Sequence, residues 1–213
     1  MSCSFDLGHY RELLEAAKEG GYRFARFEED PREGDLFLRH DIDLSLAAAL
    51  ELAELEAELD VTATYLLMTE SVFYNLASEE GAAAIDRLRE LGHPVGLHAV
   101  HPNVDRDGRF DPVVSWHNPR PEYMSDEIAG AANAYGKRYF APETYRSDSN
   151  QHWRSGCPHE ELRAGAFPWL QILVHPEIWV YPGETMGETM RALVEAESTR
   201  RLEQLAADGI DLG

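Results

Sequence analysis

The chain has 213 residues, 44% of them hydrophobic, which is enough for one sizeable core and sets a single domain over residues 1–213 as the expectation. Its formal net charge is −20, and Lys18 and Lys137 are the only lysines among 19 basic residues. That charge argues against nucleic acid and anionic membrane surfaces as partners, because both would repel it, and is what a salt-rich cytoplasm would tolerate. No apolar run approaches the ~18 residues of a membrane span, and Ser2-Cys3-Ser4-Phe5-Asp6 lacks a signal-peptide pattern, so a soluble cytoplasmic protein is expected.

His9 to Lys18 has the spacing of a short amphipathic helix, stopped by Gly20-Gly21. Tyr22 to Phe27 alternates like a strand, and Pro31 and Gly34 mark a turn. Asp35 to Asp41 is a mostly apolar strand, Ser45 to Leu59 a helix, and Val61 to Met68 a β-branched and aromatic strand. Ser78 to Leu91 is a helix with a capping serine and a closing Gly92, followed by a strand over Pro94 to His98. Asn103 to Pro112 reads as a solvated loop, Val113 to His117 as a strand, Asp126 to Tyr135 as a helix, and Arg138 to Phe140 as the start of a strand. Ser155 to Gly165 is irregular, and Leu170 to Pro176 is a buried strand. A long helix runs from Glu184 to about Ala207, with Met186, Met190, Leu193, Val194 and Leu202 as its packing stripe. The β-α-β-α-β order implies parallel strands with crossover helices, in a barrel or an open sheet.

Chemistry concentrates where those strands end. In Arg39-His40-Asp41-Ile42-Asp43 the two aspartates project to one side of an extended chain, while His40 faces the other way as a structural residue. Two carboxylates pushed together repel unless a cation or a shared proton lies between them. With His98 at the end of a neighbouring strand, this is the ligand chemistry of a metal-dependent hydrolase, and active residues of parallel α/β folds gather at such carboxyl ends. The bland alternative is that Asp41 and Asp43 only cap the helix that begins near Ser45. Cys157-Pro158-His159 offers two ligand types but no second Cys/His pair along the chain, and two cysteines are too few for a disulfide framework.

Five segments in order over about residues 36–182 resemble the motifs of the NodB-like polysaccharide deacetylase family, in its divergent bacterial branch with an Arg-His-Asp-x-Asp opening. Residues 39–43 match the first motif, with Ala63-Thr64-Tyr65 and Phe73-Tyr74-Asn75 similar to that branch's following signature. Gly92 to His98 is similar to the second, Ser115-Trp116-His117-Asn118-Pro119 lies at the third, Ser147-Asp148-Ser149 with Trp153 resembles the fourth, and Ile172 to Pro176 the fifth.

The resemblance implies a shortened, distorted (β/α) barrel that removes acetyl groups from N-acetylated sugars or polysaccharide precursors with a divalent metal. Zinc is the choice that the mixed oxygen and nitrogen ligands suggest. It further implies Asp41 as catalytic base, Asp43 and His98 as metal ligands, His175 as acid and Asp148 as its orienting partner. The family's second motif-two histidine falls on Pro102 here, with His101 one residue early, so either His101 or His117 completes the ligand set. His117 also stands where the family has the arginine that steadies the base, and the link between the second and third motifs is too short for a crossover helix. Two other readings stand beside this one: an inert barrel that binds a saccharide or nucleotide sugar, and an amidohydrolase acting on a non-sugar amide.

Overall fold

The computed structural model describes residues 3–102 and 107–212. Its elements run α1 (Leu7–Glu19), β1 (Arg23–Phe24), β2 (Asp35–Ile42), α2 (Leu46–Glu58), β3 (Thr64–Leu67), α3 (Glu79–Glu90), β4 (Val95–Ala99), β5 (Val113–Trp116), β6 (Ala132–Asn133), β7 (Tyr145–Ser147), α4 (His159–Arg163), β8 (Trp169–Val174), α5 (Pro176–Val180) and α6 (Met186–Ala207). All strand pairs are parallel, in the order β6-β5-β4-β3-β2-β8-β7, with β1 beside β2.

The sheet curls into a trough. β2 and β5 are three strands apart in that order, which in a flat sheet is about 14 Å, yet Ser115 on β5 donates a hydrogen bond to Asp41 on β2 at 3.0 Å. Farther round, Gln171 on β8 reaches the carbonyl of Ala134, just past β6, at 2.9 Å. The chain thus forms the expected shortened, distorted (β/α) barrel. The strands' side chains alternate between two environments. Leu36, Leu38, Ile42, Tyr65, Leu97 and Ile172 join the helix-side core, whereas Phe37, Leu66, Val113 and Ala134 pack inside the trough.

Buried polar side chains bind the helices to the sheet. Glu56 of α2 accepts hydrogen bonds from Tyr10 of α1 and, at 2.8 Å, from Tyr65 of β3, and it meets His40 Nε2 of β2 at 2.6 Å. His40 therefore faces away from the trough, as strand alternation requires.

Four local expectations are corrected. Asp126 to Tyr135 is not helical: Gly130 adopts φ 68°, and the Asn133 amide donates to the carbonyls of Met124 and Asp126, fixing a turn that overrides the alanine-rich propensity. The strand expected at Arg138 forms later, as β7. The stretch taken as irregular before Gly165 contains α4. On α6 the expected packing stripe fails beyond Leu193, since Val194 is 60% and Leu202 48% exposed. The distal part of that helix extends past the core and is tethered to Glu80 of α3 by Arg200 and Arg201. The loop expected over Asn103 to Pro112 lies partly outside the described residues.

Gly96 sits where the trough is tightest. A Cβ there would meet the Val113 carbonyl oxygen at 2.5 Å and Leu66 Cδ2 at 2.6 Å. Because the backbone carbonyl cannot give way, Gly96→Ala is expected to destabilise the fold by about 1–3 kcal/mol. Denaturant unfolding measures this as a lower midpoint with unchanged slope.

Candidate metal and acid–base site

The carboxyl ends of β2, β4, β5 and β8 converge at one mouth of the trough. From β2 come Arg39, Asp41 and, one residue beyond its end, Asp43, spaced by two so that all three face inward. β4 contributes His98, β5 contributes Ser115 with His117 just past its end, and β8 is followed by His175. Helix capping does not explain the aspartates, because the side chain of Ser45 caps α2 by accepting from Ala48 N–H.

Asp43 Oδ1, His98 Nε2 and His117 Nδ1 form a compact triangle with sides of 3.1, 3.2 and 3.3 Å. The order of hydrogen bonds behind it determines the tautomer of His98. Ser115 gives its one proton to Asp41, so its oxygen accepts from His98 Nδ1–H at 2.6 Å. His98 Nε2 is then a bare lone pair pointing at a carboxylate oxygen. Four-coordinate zinc, with ligands at about 2.0–2.1 Å, places donor atoms about 3.3–3.4 Å apart. The triangle is close to that span, so these three residues fit a divalent metal once His117 gives up the proton it shares with Asp43. The mutual contacts set the charges. Burial raises the Asp43 carboxyl, but the hydrogen bond from His117 outweighs it and, with the His98 ring alongside, holds the group well below the usual carboxylate range. His117 is raised by the same bond to Asp43.

His101 stands outside this cluster. It is exposed, 3.9 Å from Glu70, on the turn before Pro102. Of the two imidazoles left open by the sequence, only His117 meets Asp43 and His98.

Asp41 lies beneath the triangle, 2% exposed. Arg39 donates to its Oδ2 at 2.9 Å and also binds Gln171 at 2.9 Å, with the guanidinium 4.3 Å from the Tyr135 ring centre. Burial opposes ionisation of Asp41, but the Arg39 charge prevails and keeps its pKa below the ordinary value. An arginine thus stands against this aspartate, supplied by the same strand two residues earlier. The sequence showed Arg39 in the motif but gave no sign of this contact.

Across the mouth, His175 Nδ1 meets Asp148 Oδ1 at 2.6 Å, and Asp148 Oδ2 accepts from His175 N–H at 3.0 Å and from the Trp179 indole at 2.8 Å. Burial pulls the imidazole's pKa down, but the fully buried Asp148 carboxylate more than offsets this and raises it to about 10. Trp179 holds Asp148 in place, a contact of which the sequence carried no sign. Glu177 was missed as well. It is 2% exposed, its Oε2 has no hydrogen-bond partner, and desolvation raises its carboxyl to about 7.

Asp43, His117, His175 and Glu177 all line one open cleft of about 480 Å³, with Val72 and Phe73 exposed on its wall.

No family model and no curated protein matches the chain. Among solved structures it is similar to the chitin deacetylase from the fungal pathogen Colletotrichum lindemuthianum, with a TM-score of 0.43 and 15% identity, covering 78% of this chain and 84% of that one. It is also similar to a family 4 acetyl xylan esterase from Clostridium thermocellum in complex with a cobalt ion, with a TM-score of 0.30 and 17% identity, covering 83% and 92%.

Arg39→Met would leave the Asp41 carboxylate buried without its cation. Loss of one partner from a buried pair predicts a destabilisation of about 3–5 kcal/mol in equilibrium unfolding at neutral pH.

Proposed function

We propose that the chain is a metal-dependent hydrolase that removes acetyl groups from N-acetylated sugars or polysaccharide precursors, as a member of the polysaccharide deacetylase family. The observation that carries this reading is the Asp43–His98–His117 triangle, whose Asp43 and His117 line the same cleft as His175 of the Asp148–His175 pair. The five ordered sequence motifs support the substrate class. Asp43, His98 and His117 would hold the ion, and zinc matches their mixed donors. Bound there, a divalent ion would polarise an acyl oxygen and ease deprotonation of water.

The remaining chemistry belongs to the chain's own side chains. Asp41 takes the proton from the attacking water as its oxygen bonds to the acetyl carbon. The C–N bond then breaks, and His175, held protonated by Asp148, gives its proton to the departing nitrogen. Acetate and a free amine result. The amine becomes cationic in water, and Glu70 and Glu177 on the cleft wall of a protein with net charge −20 favour that product over an anionic one.

One observation favours a second assignment of the base. Both Asp41 oxygens are engaged, by Arg39 and Ser115, and neither Asp41 nor His98 lies on the cleft wall, whereas Glu177 does and keeps a free oxygen. In this reading Asp41 orients His98 through Ser115, and Glu177 takes the proton. Asp41→Asn and Glu177→Gln separate the two: the true base should cost about 10²–10⁴-fold in kcat and remove the acidic limb of the pH profile. If the other carboxylate is the one changed, that limb stays.

Turnover of N-acetylglucosamine oligomers by the metal-loaded protein tests the function itself. His117→Ala is expected to abolish metal retention and turnover, and His101→Ala to leave both unchanged. A protein that binds no divalent ion and behaves identically as Asp41→Asn would instead be an inert saccharide binder.

The pH dependence has a defined sign. His175 is protonated below about 10, so the activity it supports as an acid is lost as the pH rises through that value. The stability it gains from Asp148 is complete below the unfolded value of about 6.5 and fades over the same alkaline range. Asp148→Asn removes the main raising charge, so the alkaline limb of kcat/KM is expected to move down by more than one pH unit.

A further inference from the structure

Cys3, His9 and Cys157 meet on the helix side of the sheet, where the N-terminal segment and α1 pack on the loop that leads into α4. Their two sulfurs and one imidazole nitrogen all lie within 4.8 Å of one another, and His9 Nε2 is 3.2 Å from Cys157 Sγ. Both cysteines are unpaired. We propose that these three residues form a second metal site, which takes a thiophilic divalent cation of the zinc class and clips the N-terminal segment to the loop before α4.

Three features beyond proximity support it. First, His9 Nδ1 donates to Glu12 Oε2 at 3.0 Å, which leaves Nε2 as the ring nitrogen that faces the sulfurs, 3.2 Å from Cys157 Sγ. A carboxylate on the far nitrogen is the usual arrangement behind a metal-ligating histidine. Second, the indole Nε1–H of Trp153 beside Cys3 is buried without a hydrogen-bond acceptor, although contact with Cys157 and burial hold the Cys3 thiol well above its ordinary range, so a bound cation must displace that proton. Third, the His159 backbone N–H donates to Cys157, as a metal-bound thiolate needs. Two thiolates and a neutral imidazole neutralise a dication without a further charge, and the partly exposed position of all three leaves a fourth site open to water or to the adjacent His159 ring, 5.7 Å from that of His9.

The site is separate from the cleft, and sulfur makes it distinguishable. The Asp43 centre contains no sulfur, so a thiolate-to-cobalt charge-transfer band can arise only from Cys3 and Cys157. Anaerobic titration of the full chain with Co²⁺ is expected to give that band in the wild type and in Asp43→Asn. The band should vanish in Cys3→Ser and in Cys157→Ser. Glu12→Gln, an exposed change that leaves every ligand in place, should weaken Co²⁺ binding at the band by about 10–100-fold. Zn²⁺ should displace the cobalt and raise the thermal unfolding midpoint of Asp43→Asn but not of the double variant Asp43→Asn with Cys157→Ser, in which both centres are disabled. Cobalt uptake without the band overturns the proposal, as does a band that survives both cysteine changes or a Cys3–Cys157 disulfide that persists under reducing purification.

Discussion

The curl of the sheet is the constraint from which the site follows. Strands neighbouring one another sit about 4.8 Å apart, so groups on β2 and β5 would be beyond reach in a flat sheet. Curling brings Asp41, Ser115 and His98 into one hydrogen-bonded chain and sets Asp43 against His117. The curl in turn needs empty space on its inner wall. Gly96 provides it between Leu66 and Val113, and the apolar residues below, Phe37, Phe27 and Tyr139, fill the closed end. Arg39 and Gln171 stand between that apolar plug and the polar mouth, and together they bind across strands β2, β8 and the segment after β6. The site is therefore not a surface feature added to a sheet, because its ligands are also cross-braces of the trough.

Much of this geometry was legible in the chain, for a physical reason. Parallel strands covered on both sides read as short continuous apolar runs, so β2, β3, β4, β5 and β8 could be placed, and the polar residues that break those runs at their ends stood out. Asp43, His98, His117 and His175 were visible that way, whereas Asp148 came only from the resemblance of Ser147-Asp148-Ser149 to a family motif. What could not be read were contacts that depend on how far the sheet bends. Pro102 stands where the family's second histidine would be and left His101 and His117 as alternatives, but only the curl brings His117 opposite Asp43. The same holds for Arg39, whose partner is in plain view two residues away yet whose contact depends on Gln171 and Tyr135 holding the guanidinium in place.

The failures on the other side of the sheet have a common cause. Cys157 and His9 are 148 positions apart and meet only because α1 packs on α4, and α4 is itself a five-residue helix that local pattern did not announce. Periodicity on α6 predicted burial, but a regular stripe is buried only where another element covers it, and α6 runs past the core after Leu193. Alanine-rich composition around Gly130 predicted a helix that Asn133 displaces by supplying the Met124 and Asp126 carbonyls with a donor. Local pattern was overruled each time by contacts that the fold makes, or fails to make, around the element.

Two imidazoles at the same mouth are prepared for opposite tasks, and the difference lies in how each reaches its carboxylate. Asp148 touches His175 directly and is itself fixed by Trp179 and a backbone N–H, so its uncompensated charge stabilises the imidazolium. Asp41 has given much of its charge to Arg39, and Ser115 stands between it and His98 Nδ1. A hydroxyl passes on orientation but little charge. His98 is thereby held in one tautomer with its lone pair free, whereas His175 is held as a proton donor. A single exchange would blur the contrast: without Arg39 the unbalanced charge of Asp41 would bear on His98, whose Nδ1 lies 3.6 Å away. The buried arginine matters to the chemistry for that reason, although it lies outside the cleft and would touch no substrate.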